Sequence, residues 1–281
     1  MENETAALPQ NTGLTEKKER SPKKPGRKRI RKKYTVYDAV IMICIVIIAI
    51  TGSYIASDIA TRAQAMKEIA TIQQFKETEQ TQQAQSPEQV FDSLKAINSD
   101  YIFWMTIENT NIDLPVVKGK NNSDYLHLTI YKKRNNAGTL FLDCQNDAAL
   151  TDQNTVIYGH SRYDGTMFSQ LSGYKNQAFY ESHPLITIAT RDKVYYYQVF
   201  SCNIVSADFD YRSSDYGKDF MSFVSKMRSD SFLDSAAKVD SSSRILTLST
   251  CGTGNKAKRT AVLCVLLNPE GEDIDTNALQ I

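Results

Sequence analysis

Histidine is scarce in this chain. His127, His160 and His183 are the only three among 281 residues. No His-x-x-x-His or Cys-x-x-Cys spacing occurs and the acids are dispersed, so no metal site is expected. No cofactor is expected either. Cysteine occurs five times, as scattered singletons: Cys44, Cys144, Cys202, Cys251 and Cys264. Nothing in that spacing demands a disulfide, and an unpaired thiol outside the cell is a candidate reactive group. No internal repeat is evident.

Charge of one sign does not dominate overall, since the net charge is +1. Its distribution is uneven. Residues 1–33 carry eleven Lys/Arg and four Glu, +7, which leaves −6 for the rest. A basic tail can serve nucleic acid. Here it precedes the one long apolar run, Ala39 to Ala56, eighteen residues without a charge. That length suits a transmembrane helix, and the basic flank places the N-terminus in the cytoplasm and the remainder outside. No nucleic-acid partner is expected. Ala63-Gln64-Ala65 fits a small-x-small cleavage pattern, but the long basic region and Arg62 favour an uncleaved anchor. The organisation read from the sequence is a disordered basic tail (1–33), a membrane anchor (34–56), a Gln/Thr/Glu-rich stalk that is helical in part (57–86) and an extracytoplasmic domain (87–281).

The domain opens on a short helix, with Ser86 as cap and Pro87 at the first helical position, running to about Ile97. Period-two alternation predicts strands over 101–107, 112–116, 138–143, 155–158, 185–190, 193–206, 244–248 and 260–267, with Arg191-Asp192 as a hairpin turn. Helices are predicted over 214–228, with Phe220, Phe223, Val224 and Met227 on one face, and over 167–171. So many strands predict a barrel or a sandwich.

Three residues stand at strand ends. Arg244 to Leu248 leads into Ser249-Thr250-Cys251, and after a Gly/Lys-rich loop Arg259 precedes the strand from Thr260. His160 follows Thr155–Tyr158 and one Gly. A free thiol with a pKa of about 8.5 is only a few per cent thiolate at neutral pH. A nearby imidazole can take its proton and return one to an amine leaving group. A guanidinium can stabilise a developing oxyanion. The order His…Cys…Arg excludes a papain-like arrangement. Taken singly, each residue is more often structural: Cys251 and His160 as satisfied buried groups, Arg259 as a surface charge. Cys144, Cys202 and Cys264, in apolar strand-like settings, are expected as buried thiols.

Thr247-Leu248-Ser249-Thr250-Cys251 with a downstream Arg resembles the signature of the sortases, and its LSTC form resembles class B. Trp104 with Ile112-Asp113-Leu114-Pro115-Val116, Asn122-Ser123-Asp124-Tyr125-Leu126, Gly138–Asp143 and Tyr158-Gly159-His160 with Asp164-Gly165-Thr166-Met167-Phe168 resemble further segments of that family in order. The resemblance covers about residues 87–268. It implies a closed eight-stranded sortase β-barrel with short helices, and a membrane-anchored cysteine transpeptidase. Such an enzyme cleaves a C-terminal sorting signal after Thr, forms a thioacyl-enzyme and passes the acyl group to an amine of peptidoglycan. Partners would be signal-bearing surface proteins and a cross-bridge or stem-peptide amine. By the same resemblance Cys251 is nucleophile, His160 general acid/base and Arg259 oxyanion or substrate stabiliser, with Lys258 a weaker rival to Arg259. Ser249, Asn122 and Leu126 are candidate signal contacts. The segment 205–218 matches no family motif. A thiol hydrolase of peptides and a non-catalytic, membrane-tethered binding module are the alternative readings.

Overall fold

The computed structural model describes residues 35–77, 87–251 and 257–276. The basic tail, the Ser86 cap and residues 252–256 after Cys251 lie outside the described residues, and of Cys251 the backbone alone is described. The chain divides into two compact units, Met1–Gly52 and Ser53–Ile281. The first contains the start of helix α1 (Val36–Glu77), whose Ile43, Ile47 and Ile48 are more than half exposed. It is the one helix among the described residues that is long and apolar enough to cross a membrane.

The second unit begins with the rest of α1 and is built on a closed barrel. Its strands are β1 (Tyr101–Thr106), β2 (Asp113–Val117), β3 (Leu140–Leu142), β4 (Asn154–Gly159), β5 (Leu185–Ala189), β6 (Val194–Ser206), β7 (Ile245–Cys251) and β8 (Lys258–Leu266). They close in the order β1-β2-β3-β4-β7-β8-β6-β5. The β2/β3 and β4/β7 pairs are parallel and the others antiparallel. Closure leaves no open sheet edge.

Alternation along the strands sorts side chains between the barrel interior and its coat. Phe103, Met105, Leu140, Ile157 and Leu248 point into one buried cluster and have no exposure. Each contributes about 1.5–3 kcal/mol on burial. The alternate residues do not face water as on a simple half-buried sheet. Trp104, Val117 and Phe141 are covered by helix α2 (Pro87–Ile97) through Leu94. Ile245, Ala261, Leu263 and Val265 are covered by helix α4 (Phe220–Ser229) through Phe220, Phe223, Val224 and Met227.

The motif residues Trp104 and Asp113 hold the β1–β2 pair. Trp104 Nε1 and Thr106 Oγ1 both donate to Asp113 Oδ1, at 2.7 Å each. Tyr125 is held likewise: its hydroxyl donates to Asp100 Oδ2 at 2.7 Å and accepts from Asn98 Nδ2 at 2.9 Å.

Four local differences from the sequence reading have physical causes. Residues 61–73 of α1, read as stalk, lie on the barrel: Ala65 and Ile72 are buried, Ile69 packs on the core and Gln73 Nε2 donates to the Asp113 carbonyl at 3.0 Å. Positions 65, 69 and 72 share one helical face. The helix read from 214 starts at Phe220, because Ser213 and Asp215 spend their side chains on turn hydrogen bonds. The segment after Met167 is a 3-10 turn over Phe168–Lys175, followed by an unforeseen helix, α3 (Gln177–Ser182), capped by Asn176. Finally, Cys144 is half-buried, because β3 ends at Leu142 and the residue lies in the turn beyond it, whereas Cys202 and Cys264 are fully buried.

Candidate functional site

Strand register builds the site. In the parallel β4/β7 pair, Gly159 lies opposite Thr250, so His160 and Cys251 are the next residues along neighbouring strands. In the antiparallel β7/β8 pair, Cys251 lies opposite Arg259. Three backbone positions, delivered by segments far apart in sequence, thus stand in one row at one rim of the barrel.

A cleft of about 180 Å³ opens along that rim. Asn122, Leu126, His160, Ser249 and Arg259 all line it, together with Tyr211. Asn122 is exposed, and its Oδ1 accepts from the Cys144 backbone N–H at 2.8 Å. That bond fixes the amide so that its NH₂ group remains the donor end. Ser249 is buried, and its hydroxyl shares a 2.8 Å hydrogen bond with the Tyr211 hydroxyl. Arg259 is half-buried, with Nη1 donating to the Lys258 carbonyl at 3.0 Å. Lys258 is exposed and outside the cleft lining, as the two-residue period of a strand dictates.

His160 is the most constrained member. Its Nε2 lies 2.8 Å from the Leu126 carbonyl. A carbonyl only accepts, so Nε2 carries the proton and a neutral ring holds its lone pair on Nδ1. Leu126 therefore meets His160 through its backbone as well as lining the cleft. Burial lowers the imidazole pKa below its ordinary value; the Leu126 hydrogen bond opposes this, and the charges of His127 and Arg162 add to it. The His127 ring centroid is 6.3 Å away.

The backbone before and after His160 explains the surrounding sequence. A Cβ on Gly159 would come within 2.5 Å of Leu140 Cδ2 and 2.7 Å of Phe168, so only glycine fits there. The loop then turns back: Phe168 N–H donates to the His160 carbonyl at 2.9 Å, and Ser161 bridges to Met167. Asp164 closes it by accepting from Arg162 Nη2 at 2.7 Å and from the Thr166 backbone at 3.1 Å. Burial works against its ionisation, yet these donors hold the Asp164 carboxyl down at about 2. Gly165 follows with φ +79°, a conformation side chains resist.

Sequence reasoning missed Tyr211, Arg212 and Thr250 as cleft residues. Thr250 was legible as a neighbour of Cys251. Tyr211 and Arg212 sit in the segment that matched no motif, and only the fold brings them beside Ser249. Two of the other thiols, Cys202 and Cys264, differ in kind from a cleft residue. Burial pushes Cys202 up to about 12, and Cys264 is also raised well above its ordinary value. Such thiols are unreactive at neutral pH.

Comparisons with known proteins bear on the family and the fold. The sortase domain family model matches residues 105–267. Sortase B of Staphylococcus aureus is 31% identical over 217 residues, covering 75% of this chain and 88% of that protein. Sortase B of Listeria monocytogenes is 35% identical over 162 residues, covering 57% of this chain and 66% of that protein. Among solved structures, a Staphylococcus aureus sortase B–substrate complex superposes with a TM-score of 0.65 at 30% identity, covering 75% of this chain and 98% of its own. Family match, sequence identity and barrel topology converge, and the chain belongs to the sortases, cell-wall anchoring cysteine transpeptidases, as a member of class B.

Proposed function

We propose that this chain is a membrane-anchored transpeptidase that cuts a C-terminal sorting signal after Thr and joins the new carboxyl end to a peptidoglycan amine. The observation that carries the reading is the single row of His160, Cys251 and Arg259 along a cleft. In the first half-reaction, Nδ1 of neutral His160 takes the Cys251 proton. The thiolate attacks the Thr carbonyl carbon, and Arg259 hydrogen-bonds the oxygen as negative charge builds on it. The C–N bond breaks, the imidazolium protonates the departing amine, and a thioester remains on Cys251. In the second half-reaction an acceptor amine attacks that thioester. The C–S bond breaks, and the surplus amine proton returns through His160 to the thiolate.

The cleft walls suit an extended peptide. Asn122 offers amide donors, Leu126 an apolar contact, and Ser249 with Tyr211 a buried hydroxyl pair. On this reading the apolar start of α1 is the anchor, and the basic tail before it favours an N-terminus in the cytoplasm and a barrel outside.

The test uses the full chain in detergent micelles with a panel of sorting-signal peptides, with and without an amine, read by mass spectrometry. Cleavage after Thr, an amine-linked product and at least about a 10³-fold loss in Cys251→Ala are expected. Cleavage indifferent to added amine would make the protein a thiol hydrolase. Complete inertness of Cys251 to both peptides and thiol reagents would leave a binding module.

A further inference from the structure

His160 faces more than one cavity. Besides the cleft it shares with Ser249 and Arg259, it lines a second cavity of about 160 Å³ whose other walls are Asp58, Arg62, Asn136, Ser161, Arg162 and Tyr163. Arg62 belongs to the part of α1 that packs on the barrel, Asp58 lies one turn before it, and they pair at 2.5 Å. This cavity adjoins an open groove of about 430 Å³ through the shared residues Ser161, Arg162 and Tyr163; the groove runs past Ser169 and Ser172 to Phe179.

We propose that this second cavity and groove hold the amine acceptor, an amine-bearing cell-wall stem peptide. The inference rests on the two-step transfer proposed above. When the acceptor arrives, the acyl chain still occupies the first cleft as a thioester. The acceptor nitrogen must therefore reach the same imidazole from another side. The second cavity provides that approach.

Its chemistry also fits. A stem peptide brings an ammonium group, carboxylates and many amides. Asp58, whose Oδ2 pairs with Arg62 Nη2, faces the same cavity and adds its carboxylate for the ammonium group. Arg62 Nε is buried and has no hydrogen-bond partner, which leaves a donor for a carboxylate. Arg162 is committed instead to Asp164 and to the Asn136 carbonyl, so it shapes the wall. Further out, Ser172 Oγ donates within the loop to the Ser169 carbonyl and keeps its acceptor capacity for a peptide N–H. Tyr163 stands 86% exposed beside it, a ring with no packing role that can lie along a polar chain. The amine, once deprotonated, attacks the thioester carbonyl. One C–N bond forms, one C–S bond breaks, and the thiol is regenerated.

The experiment titrates the full Cys251→Ala chain in micelles with a synthetic stem tetrapeptide bearing a free amine, by calorimetry. The peptide is expected to bind, and to bind at least tenfold more weakly when Ser172→Trp fills the groove or Tyr163→Ala removes the ring. Arg62→Gln should weaken it severalfold, with the loss disappearing for a peptide whose carboxylates are amidated. Met221→Trp, on the exposed side of α4, is the control for added bulk. Equal affinity for Ser172→Trp, absence of binding, or displacement by a sorting-signal peptide would each overturn the assignment. If binding follows the groove variants but the active enzyme forms no amine-linked product, the groove stands and the transfer reading falls.

Discussion

The two sides of the candidate site are held by different means. His160 is held by side-chain packing and loop closure: glycine before it for want of space, Phe168 N–H and the Leu126 carbonyl on either side, and the Arg162–Asp164 pair beyond. Cys251 and Arg259 are placed by strand register, opposite one another across β7 and β8. The comparison teaches that the proposed base is fixed as an object, whereas the proposed nucleophile and the guanidinium are fixed as positions on a lattice. Substitutions should then divide. On the β7/β8 side they should change chemistry with little effect on stability. On the β4 side they should change both.

The largest expected effect falls on the lattice side. Arg259→Ala should lower kcat/KM for signal cleavage by about 10²–10³, the usual cost of one oxyanion donor. The thermal midpoint should stay within about 2 °C, because a half-buried side chain at a strand end adds little to stability. Kinetics beside a melting curve check this, and a large fall in the midpoint would erase the distinction between the two sides.

Gly159→Ala should do the opposite. Its methyl group meets Leu140 and Phe168 at distances no packed core accepts, so about 1–3 kcal/mol of stability should be lost. Activity should fall with it as His160 is displaced. Denaturant unfolding and single-turnover acylation report the two quantities separately.

Asp164→Ala removes the closure of the loop and should cost about 1–2 kcal/mol. Its pH signature is distinctive. The folded carboxyl sits below its unfolded value, so its contribution is complete above about pH 4 and is lost as pH falls toward about 2. The wild-type chain should show that loss over the window and the variant should not.

The smallest effect is a titration. In the proposed mechanism neutral His160 accepts the proton, so the cleavage rate should rise with pH through a pKa below the ordinary histidine value of about 6.5. The unfolded chain takes up that proton at higher pH than the folded one, so acidification below about 6.5 also favours unfolding. His127→Ala removes one of the charges that lower the His160 pKa, alongside Arg162, and should move it upward, as read by NMR of the imidazole signals. The other charged groups near the ring, Arg259 across the first cleft and Asp58 with Arg62 in the second, remain in place.

Most of the barrel was legible because its strands carry alternating apolar residues, and because the family motifs turn out to mark hydrogen-bonded joints. Trp104 with Asp113 and Tyr125 with Asp100 and Asn98 are such joints. What stayed hidden depends on distant partners. Nothing local shows that residues 61–73 of α1 lie on the barrel, since a Gln/Thr/Ala-rich helix with few large apolar groups reads as solvated. Tyr211 was hidden for the same reason: its hydroxyl meets Ser249 only after β6 and β7 are in place. Turn chemistry accounts for the late start of α4, and the cap at Asn176 for a helix too short to show a period.

The parallel pairing of β4 with β7 also governs when the site can exist. Asn154 must find Ile245 across most of the barrel's sequence. Contacts of such long range are entropically costly to close and characterise slow-folding chains. His160 and Cys251 become neighbours only through that pairing. A chain emerging in part, or folded in part, has its imidazole and its thiol far apart. On the proposed roles, catalysis therefore waits on closure of the barrel, the slowest kind of contact the chain has to make.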